Sequence, residues 1–383
     1  MSPSLYLGAT GFGLIAVCYG FARFAFGLFL PQIDADLSLS STLSGLISGG
    51  AFLGYCVAIV LSAYLTERIG ARTVAIGAAL VAAVGMVGIA VAPSPLLLAT
   101  AVMLAGSSTG LASPPMAAAV AAIVRPERQS AINTIINAGT SAGVALSGPI
   151  ALLLGGQWRL AFAGFAAAAF IMAIAAAFSV PGKTKATSKT AAGLPPLTSD
   201  IARLIMAAFL MGASSTALWS FGGQLVSHQL GWNTTGAGLL WIAIGTAGIL
   251  GAGAGTLVER FGLSLTHWCF LAALASGIIL VGTSVTTPLL ALLGGMLFGA
   301  AYIMLTGVYL IWGISALPDR PATGLMIGFL TIAIGQTAGA PLFGLLMDRL
   351  TADYAVITFA CLAFTAGLPR AGNVTLTSTP KAS

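Results

Sequence analysis

The chain has 383 residues, of which 58% are hydrophobic and only 6% charged, and its mean hydropathy is +1.02. A soluble globular domain carries roughly 25% charged residues, so this composition excludes water as the main solvent. The formal net charge of +6 reads as membrane topology and contact with anionic lipid, not as nucleic-acid binding.

Crossing a bilayer core of about 30 Å takes about 20 mostly apolar residues, and the chain offers twelve apolar runs. In the first half they are Leu5 to Leu30, Ser44 to Leu65, Thr73 to Val91, Leu96 to Val124, Ala131 to Leu154 and Ala161 to Val180. The second half repeats the pattern at Leu204 to Val226, Gly236 to Leu257, Leu265 to Val285, Leu289 to Ile314, Gly324 to Met347 and the shortest run, Tyr354 to Leu368. No basic stretch precedes the first run, which is longer than a signal-peptide core, so it is expected to stay as the first helix. Residues 181–200, rich in Lys, Thr, Ser and Pro, are the one long polar break. They read as a cytoplasmic linker between an N-terminal six-helix half, 1–180, and a C-terminal six-helix half, 201–383, with a short cytoplasmic tail. Other loops are short, as at Pro93-Ser94-Pro95, which makes successive helices antiparallel neighbours. The expected fold is therefore an all-α integral membrane protein of twelve transmembrane helices in two pseudo-symmetric halves.

One polar signature occurs twice. Ala63-Tyr64-Leu65-Thr66-Glu67-Arg68-Ile69-Gly70 returns 192 residues later as Gly255-Thr256-Leu257-Val258-Glu259-Arg260-Phe261-Gly262. The same offset of 192 carries Pro126-Glu127-Arg128 onto Pro318-Asp319-Arg320, Gly143 onto Gly335 and Pro149 onto Pro341. Internal repeats of this kind are the footprint of secondary transporters, whose lobes rock about a site between them.

Lys and Arg concentrate in alternate loops, which sets orientation. With both termini cytoplasmic, the inner loops and tail hold Arg68, Arg72, Arg125, Arg128, Lys183, Lys185, Lys189, Arg203, Arg260, Arg320, Arg370 and Lys381, leaving Arg159 and Arg349 outside. Cys18, Cys56, Cys269 and Cys361 lie singly inside apolar runs and read as small buried residues without metal-ligand spacing. The runs are rich in small residues, with Gly106-x-x-x-Gly110, Gly139-x-x-x-Gly143 and Gly335-x-x-x-Gly339 allowing close helix approach. Gly148-Pro149 and Ala340-Pro341 are expected to bend helices 5 and 11 at matching places, because proline removes an internal hydrogen bond.

With six plus six helices, a basic central loop and the repeated signature, the chain resembles the major facilitator superfamily over nearly its whole length. The helix 2 to 3 motif, G-x-x-x-D-R-x-G-x-R, is matched by Ala63-x-x-x-Glu67-Arg68-x-Gly70-x-Arg72, with Ala and Glu as departures. The second copy keeps Gly255, Glu259, Arg260 and Gly262 but has Ser264 at the last basic position. Helix 5 is similar to a family motif associated with exporters, although Leu152 and Leu153 stand where its final glycines would be. Helix 4 is similar to R-x-x-x-G-x-x-x-G, but Val102 occupies the Arg position, so an Arg-dependent proton relay has no residue there to carry it. Tyr19-Gly20-Phe21-Ala22-Arg23-Phe24-Ala25-Phe26 is similar to the poorly characterised bacterial YbfB-like branch. The resemblance implies alternating access, with Glu67, Arg68, Gly70, Arg72, Glu259, Arg260 and Gly262 in gating. The alternative for these residues is ordinary topology-setting loop charge.

Arg23 is the only ionisable residue expected well inside the hydrocarbon, and every acid reads as loop or helix edge. An Arg at a helix centre costs on the order of 2.5 to 3.5 kcal/mol on insertion scales, so something must compensate it. Asp34, eleven residues on, is too far along a helix to pair with it directly. Backbone carbonyls, cavity water, snorkelling to the interface or an anionic substrate remain open. Tyr19 shares its face, and Asn137, Trp219, Tyr302 and Gln336 are further candidates for a substrate-binding cavity, each weighed against ordinary packing; Tyr309 belongs to the same polar set.

The leading expectation is a permease moving a small organic solute, expected to be anionic, by alternating access in the cytoplasmic (inner) membrane, with a proton or other ion as coupling partner. Efflux of neutral or amphipathic compounds is the alternative, and a transporter-like sensor a minor one. An enzyme is not expected: His228 and His267 fall on opposite membrane sides, no serine has an evident base, and no phosphate loop is present. No cofactor, metal or nucleic-acid partner is called for, and the chain reads as a monomer.

Overall fold

The computed structural model describes residues 3–182 and 197–369, and these form helices joined by short turns. The linker residues 183–196, with Lys183, Lys185 and Lys189, and the tail bearing Arg370 and Lys381 lie outside the described residues. Helix α1 comprises Pro3–Ile15, a π-helical stretch Ala16–Phe24, and Ala25–Leu37. The first half continues with α2 (Ser41–Ile69), α3 (Ala71–Val91), α4 (Pro95–Ile123), α5 (Pro126–Leu153) and α6 (Trp158–Ser179). In the second half, α7 is Ser199–Trp219 followed by Gly222–Leu230, and α8 is Thr234–Gly248, a 3-10 turn Ile249–Gly253, then Ala254–Phe261. It ends with α9 (Leu263–Gly282), α10 (Pro288–Ala316), α11 (Pro321–Arg349) and α12 (Ala352–Thr365). Eleven of these helices are long and apolar enough to cross a bilayer, while α12 has 14 residues.

The two copies of the signature do the same local job. Gly70 alone separates α2 from α3 at φ +91°, and Gly262 alone separates α8 from α9 at φ +81°. Side chains are disfavoured at such dihedrals, so glycine lets the chain reverse within one residue. Arg72 donates from Nε to the carbonyl of Val180, 2.7 Å away, and so ties the end of α6 to the start of α3. Ser264 in the second copy cannot reach that far.

Three differences from the sequence reading have physical causes. Helix α1 passes through Pro31 and ends at Leu37 rather than Leu30, because proline is tolerated where neighbouring helices pack against the freed backbone. Trp219 marks a break in α7, and the glycines at 248, 251 and 253 bring a tighter turn into α8, where a continuous helix was expected. Cys269 and Cys361 are exposed on the outside of the bundle rather than buried, whereas Cys18 is buried and Cys56 half-buried. A lipid-facing position accepts a small apolar side chain as readily as the interior does.

The repeat reappears as packing. Gly20 on α1 lies against the backbone of Gly143 on α5, and 192 residues on, Gly212 of α7 and Gly335 of α11 touch Ile332 and Phe209. Contacts between the halves use the same device: Gly45 of α2 against Ala340 and Pro341 of α11, Gly148 of α5 against Gly238 of α8, and Gly223 of α7 against Gly27 of α1. Lipid gives no hydrophobic drive for helix association, so close backbone approach supplies the dispersion energy. Both α5 and α11 run unbroken through Pro149 and Pro341; Pro341 lies against Gly45 of the other half, and Pro149 follows Gly148 but is itself exposed.

Candidate functional site

A cavity of about 680 Å³ lies between the halves, walled by α1, α2 and α5 on one side and α8, α10 and α11 on the other. That is within the usual range for small-molecule sites. It runs from Arg23 to Ser130, Glu259, Ile314 and Leu325, all near the end of the bundle that carries the Gly70 and Gly262 turns.

The opposite end is closed. Asp348 of α11 accepts from the backbone N–H groups of Ser41 (3.1 Å) and Thr42 (2.7 Å) and from the Thr42 hydroxyl (2.6 Å). It thereby caps the first turn of α2 with a carboxylate from the other half, where unsatisfied N–H groups and the helix dipole favour negative charge. Asp34 of α1 accepts from Ser44 of α2 (2.8 Å) and Gln224 of α7 (3.0 Å). Gln32 donates to Thr234 (2.8 Å), and Ser48 and Ser220 share a hydrogen bond of 2.6 Å. Asp34 thus lies within α1 and has hydrogen-bonding partners on both halves, where the sequence reading had it at a helix edge.

Arg23 sits at the deep end of the cavity and is 6% exposed. Its guanidinium carbon is 4.7 Å from the ring centres of Phe52 and Tyr55, 5.1 Å from Phe24 and 5.8 Å from Tyr19. Cation–π contacts reach about 2 kcal/mol when desolvated, the same order as the insertion cost of the charge. Nη2 donates to Gln336 Oε1 at 2.5 Å, and Nε is buried with no partner. Among the described residues, the ion pairs are Arg159 with Asp36 and Arg203 with Asp200, and neither involves Arg23. Snorkelling is not what the side chain does: it turns into the protein. Gln336 in turn donates to Tyr302 Oη (3.1 Å) and Ser215 Oγ (3.2 Å).

The arginine and its aromatic cage lie on or beside the π-helical stretch of α1. There the Ala25 N–H reaches back to Gly20, and such widened turns are frequent at functional sites. Of the six residues expected to contact solute, Tyr19, Arg23, Asn137, Tyr302 and Gln336 line the cavity together. Tyr19 also shares a hydrogen bond of 2.9 Å with Ser113. Trp219 lies behind the lining, stacked on Phe24 at 4.0 Å and edge-on to Tyr302 at 5.1 Å. Tyr309 is committed elsewhere, to His267 (2.9 Å) and the Ala207 carbonyl (3.2 Å).

Sequence reasoning missed Tyr55, Phe24 and Ser215. Ser215 was within reach of it, because it lies 192 residues after Arg23, the offset of the repeat. The two equivalent positions of α1 and α7 meet at one glutamine. Tyr55 carried no such signal in an apolar run. Of the signature residues, Arg68 lies over Tyr64 (4.5 Å) and Arg260 over Phe261 (5.3 Å), both exposed, while Glu259 faces the cavity.

Solved transporter structures share this architecture. The nucleoside transporter NupG superposes with a TM-score of 0.76 at 13% identity, covering 96% of this chain and 98% of NupG. The xylose transporter XylE from E. coli, in a partially occluded inward-open conformation, gives 0.77 at 16% identity over 96% of this chain and 97% of XylE. A bacterial homologue of the human lysosomal transporter Spinster, inward-facing and occupied, gives 0.75 at 15% identity over 96% of both chains. A gentisate transporter of Corynebacterium glutamicum is 26% identical over 156 residues, which is 39% of this chain and 35% of that relative. The aligned stretch thus spans about a third of the curated relative's length. The family model of the Major Facilitator Superfamily matches residues 12–333. Twelve helices among the described residues and a family match over most of its length show that the chain belongs to the Major Facilitator Superfamily.

Proposed function

We propose that the chain is a secondary active permease that moves a small organic anion across the cytoplasmic membrane by alternating access. The observation that carries this reading is Arg23: a buried, cavity-lining cation that has an unpartnered Nε and no carboxylate partner among the described residues. A solute carboxylate supplies the missing charge. At 4 Å and an effective dielectric near 20 the attraction is about 4 kcal/mol before desolvation.

The halves, 1–180 and 201–383, act as the moving lobes, and the glycine and proline contacts between α2 and α11 and between α5 and α8 support that. The excess of Lys and Arg puts the Gly70 and Gly262 turns on the cytoplasmic side. The cavity then opens inward, and the Asp348 and Asp34 contacts close the outside. The partial likeness to a gentisate transporter supports an organic carboxylate as solute.

The test is uptake into proteoliposomes of a labelled carboxylate that stabilises the purified protein. Arg23→Gln abolishes saturable uptake while expression and melting stay near normal. Unchanged kinetics would remove Arg23 from the site. The apolar walls near the mouth, with Ile311, Leu325 and Phe329, favour efflux of neutral amphipathic compounds as the second reading. Equal stabilisation of wild type and Arg23→Gln by such compounds would establish it.

A further inference from the structure

Resting on the reading of this cavity as an anion site, we infer that its solute is a monovalent carboxylate carried on an aromatic ring. Three features of the deep end converge on that class.

The first is charge. Among the described lining residues Arg23 is the only cation and Glu259 the only carboxylate. A monoanion neutralises Arg23. A dianion leaves its second charge unpaired beside the buried Arg23, where desolvation is costly.

The second is hydrogen-bonding valence. Gln336 uses its oxygen on Arg23 and its amide nitrogen on Ser215 and Tyr302, so both amide hydrogens are spent. Tyr302 accepts from Gln336 and keeps its own O–H to donate, and Arg23 keeps Nε–H. Around Gln336 the hydrogens left free, on Tyr302 and Arg23, are therefore donors. An ionised carboxylate is an acceptor only, with two oxygens for two donors, whereas a polyol brings hydroxyl donors that need acceptors.

The third is the walls. Tyr19 and Tyr55 meet edge to face at 6.4 Å, and Phe24 and Tyr302 do the same at 6.4 Å. All four rings line the cavity around the donors. A flat ring attached to the carboxylate gains offset or edge contacts with them, which a saturated ring of equal size does not.

The experiment is equilibrium binding of radiolabelled benzoate to the full-length purified protein, with unlabelled competitors. Cyclohexanecarboxylate, benzamide and phthalate vary aromaticity, charge and valence one at a time. Benzoate is expected to compete about two- to tenfold better than cyclohexanecarboxylate and about tenfold or more better than benzamide and phthalate. Tyr302→Phe, which keeps the ring, should weaken benzoate about tenfold and benzamide less, because a hydrogen bond to an ionised acceptor is the stronger one. If cyclohexanecarboxylate matches benzoate, or phthalate binds best, the aromatic monoanion class is wrong while the anion site stands. If benzamide matches benzoate, or no carboxylate binds to protein with a normal melting transition, the anion site itself falls.

Discussion

Arg23 of α1 and Gln336 of α11 are joined by a hydrogen bond of 2.5 Å across the two halves, and Gln336 passes the contact on to Ser215 of α7. The cation is thus held from both lobes through a neutral partner, which leaves its charge available. Replacing that partner with an acid, Gln336→Glu, builds an internal anion against Arg23. Buried charge-assisted hydrogen bonds contribute about 1.5 to 3 kcal/mol, so solute-anion affinity should fall about tenfold to a hundredfold while the melting temperature holds or rises. Competition binding and thermal melts measure both; undiminished anion affinity would mean that solute does not use this charge.

The Asp348 cap on α2 joins opposite halves at the closed end. Thr42→Cys with Asp348→Cys, in a background where the four native cysteines are replaced, should be bridged by a short, reducible bifunctional thiol reagent, because the two side chains are in hydrogen-bond contact. Uptake should stop on linking and return on reduction. Full transport with the link verified by mass spectrometry would count against separation of the halves at this end.

A link at the other end tests the complementary movement. The ends of α2 and α11 nearest Gly70 and Pro321 lie at the end of the bundle toward which the cavity runs, and cysteines can be placed there. Cross-linking them should block transport reversibly. Activity unaffected by the link would remove rocking of the lobes from the mechanism.

Two glycines of the repeated signature should respond oppositely to a methyl group. Gly262 has open space around it but φ +81°, so Gly262→Ala should cost about 1 to 3 kcal/mol of stability through backbone strain alone. Gly255 also has open space and lies in a helical segment, so Gly255→Ala should be neutral or stabilising by up to about 1 kcal/mol. Thermal melts of the two variants in one detergent decide it. Equal shifts would mean that the turn geometry is not what glycine supplies.

Arg72 separates gating from scaffolding. Its bond to the Val180 carbonyl makes it a brace between α3 and α6, so Arg72→Met should lower stability by about 1 kcal/mol and reduce uptake only in proportion to folded protein. A normal melt with a collapsed turnover rate would restore it to the gate.

Most of the fold was legible because lipid imposes a coarse rule. Runs of about 20 apolar residues must be helices, and the offset of 192 residues showed two related halves. Gly70 and Gly262 were visible as motif members, though their positive φ was not. The breaks near Trp219 and around residues 249–253, and the π-helical stretch carrying Arg23, left no mark on hydropathy, which does not register backbone geometry within an apolar run.

The sequence by itself determined the solvent, the number of helices, the twofold repeat and the presence of one deep cation, because each follows from composition and register along a single chain. Only the tertiary structure decided what that cation meets. Arg23, Tyr55, Tyr302 and Gln336 come from four helices, and Trp219, equally plausible in sequence, ends up one layer behind them. Which polar groups converge depends on the rotation of each helix about its axis. That rotation is set by glycine contacts between helices far apart in the chain, not by anything local to the residues that line the cavity.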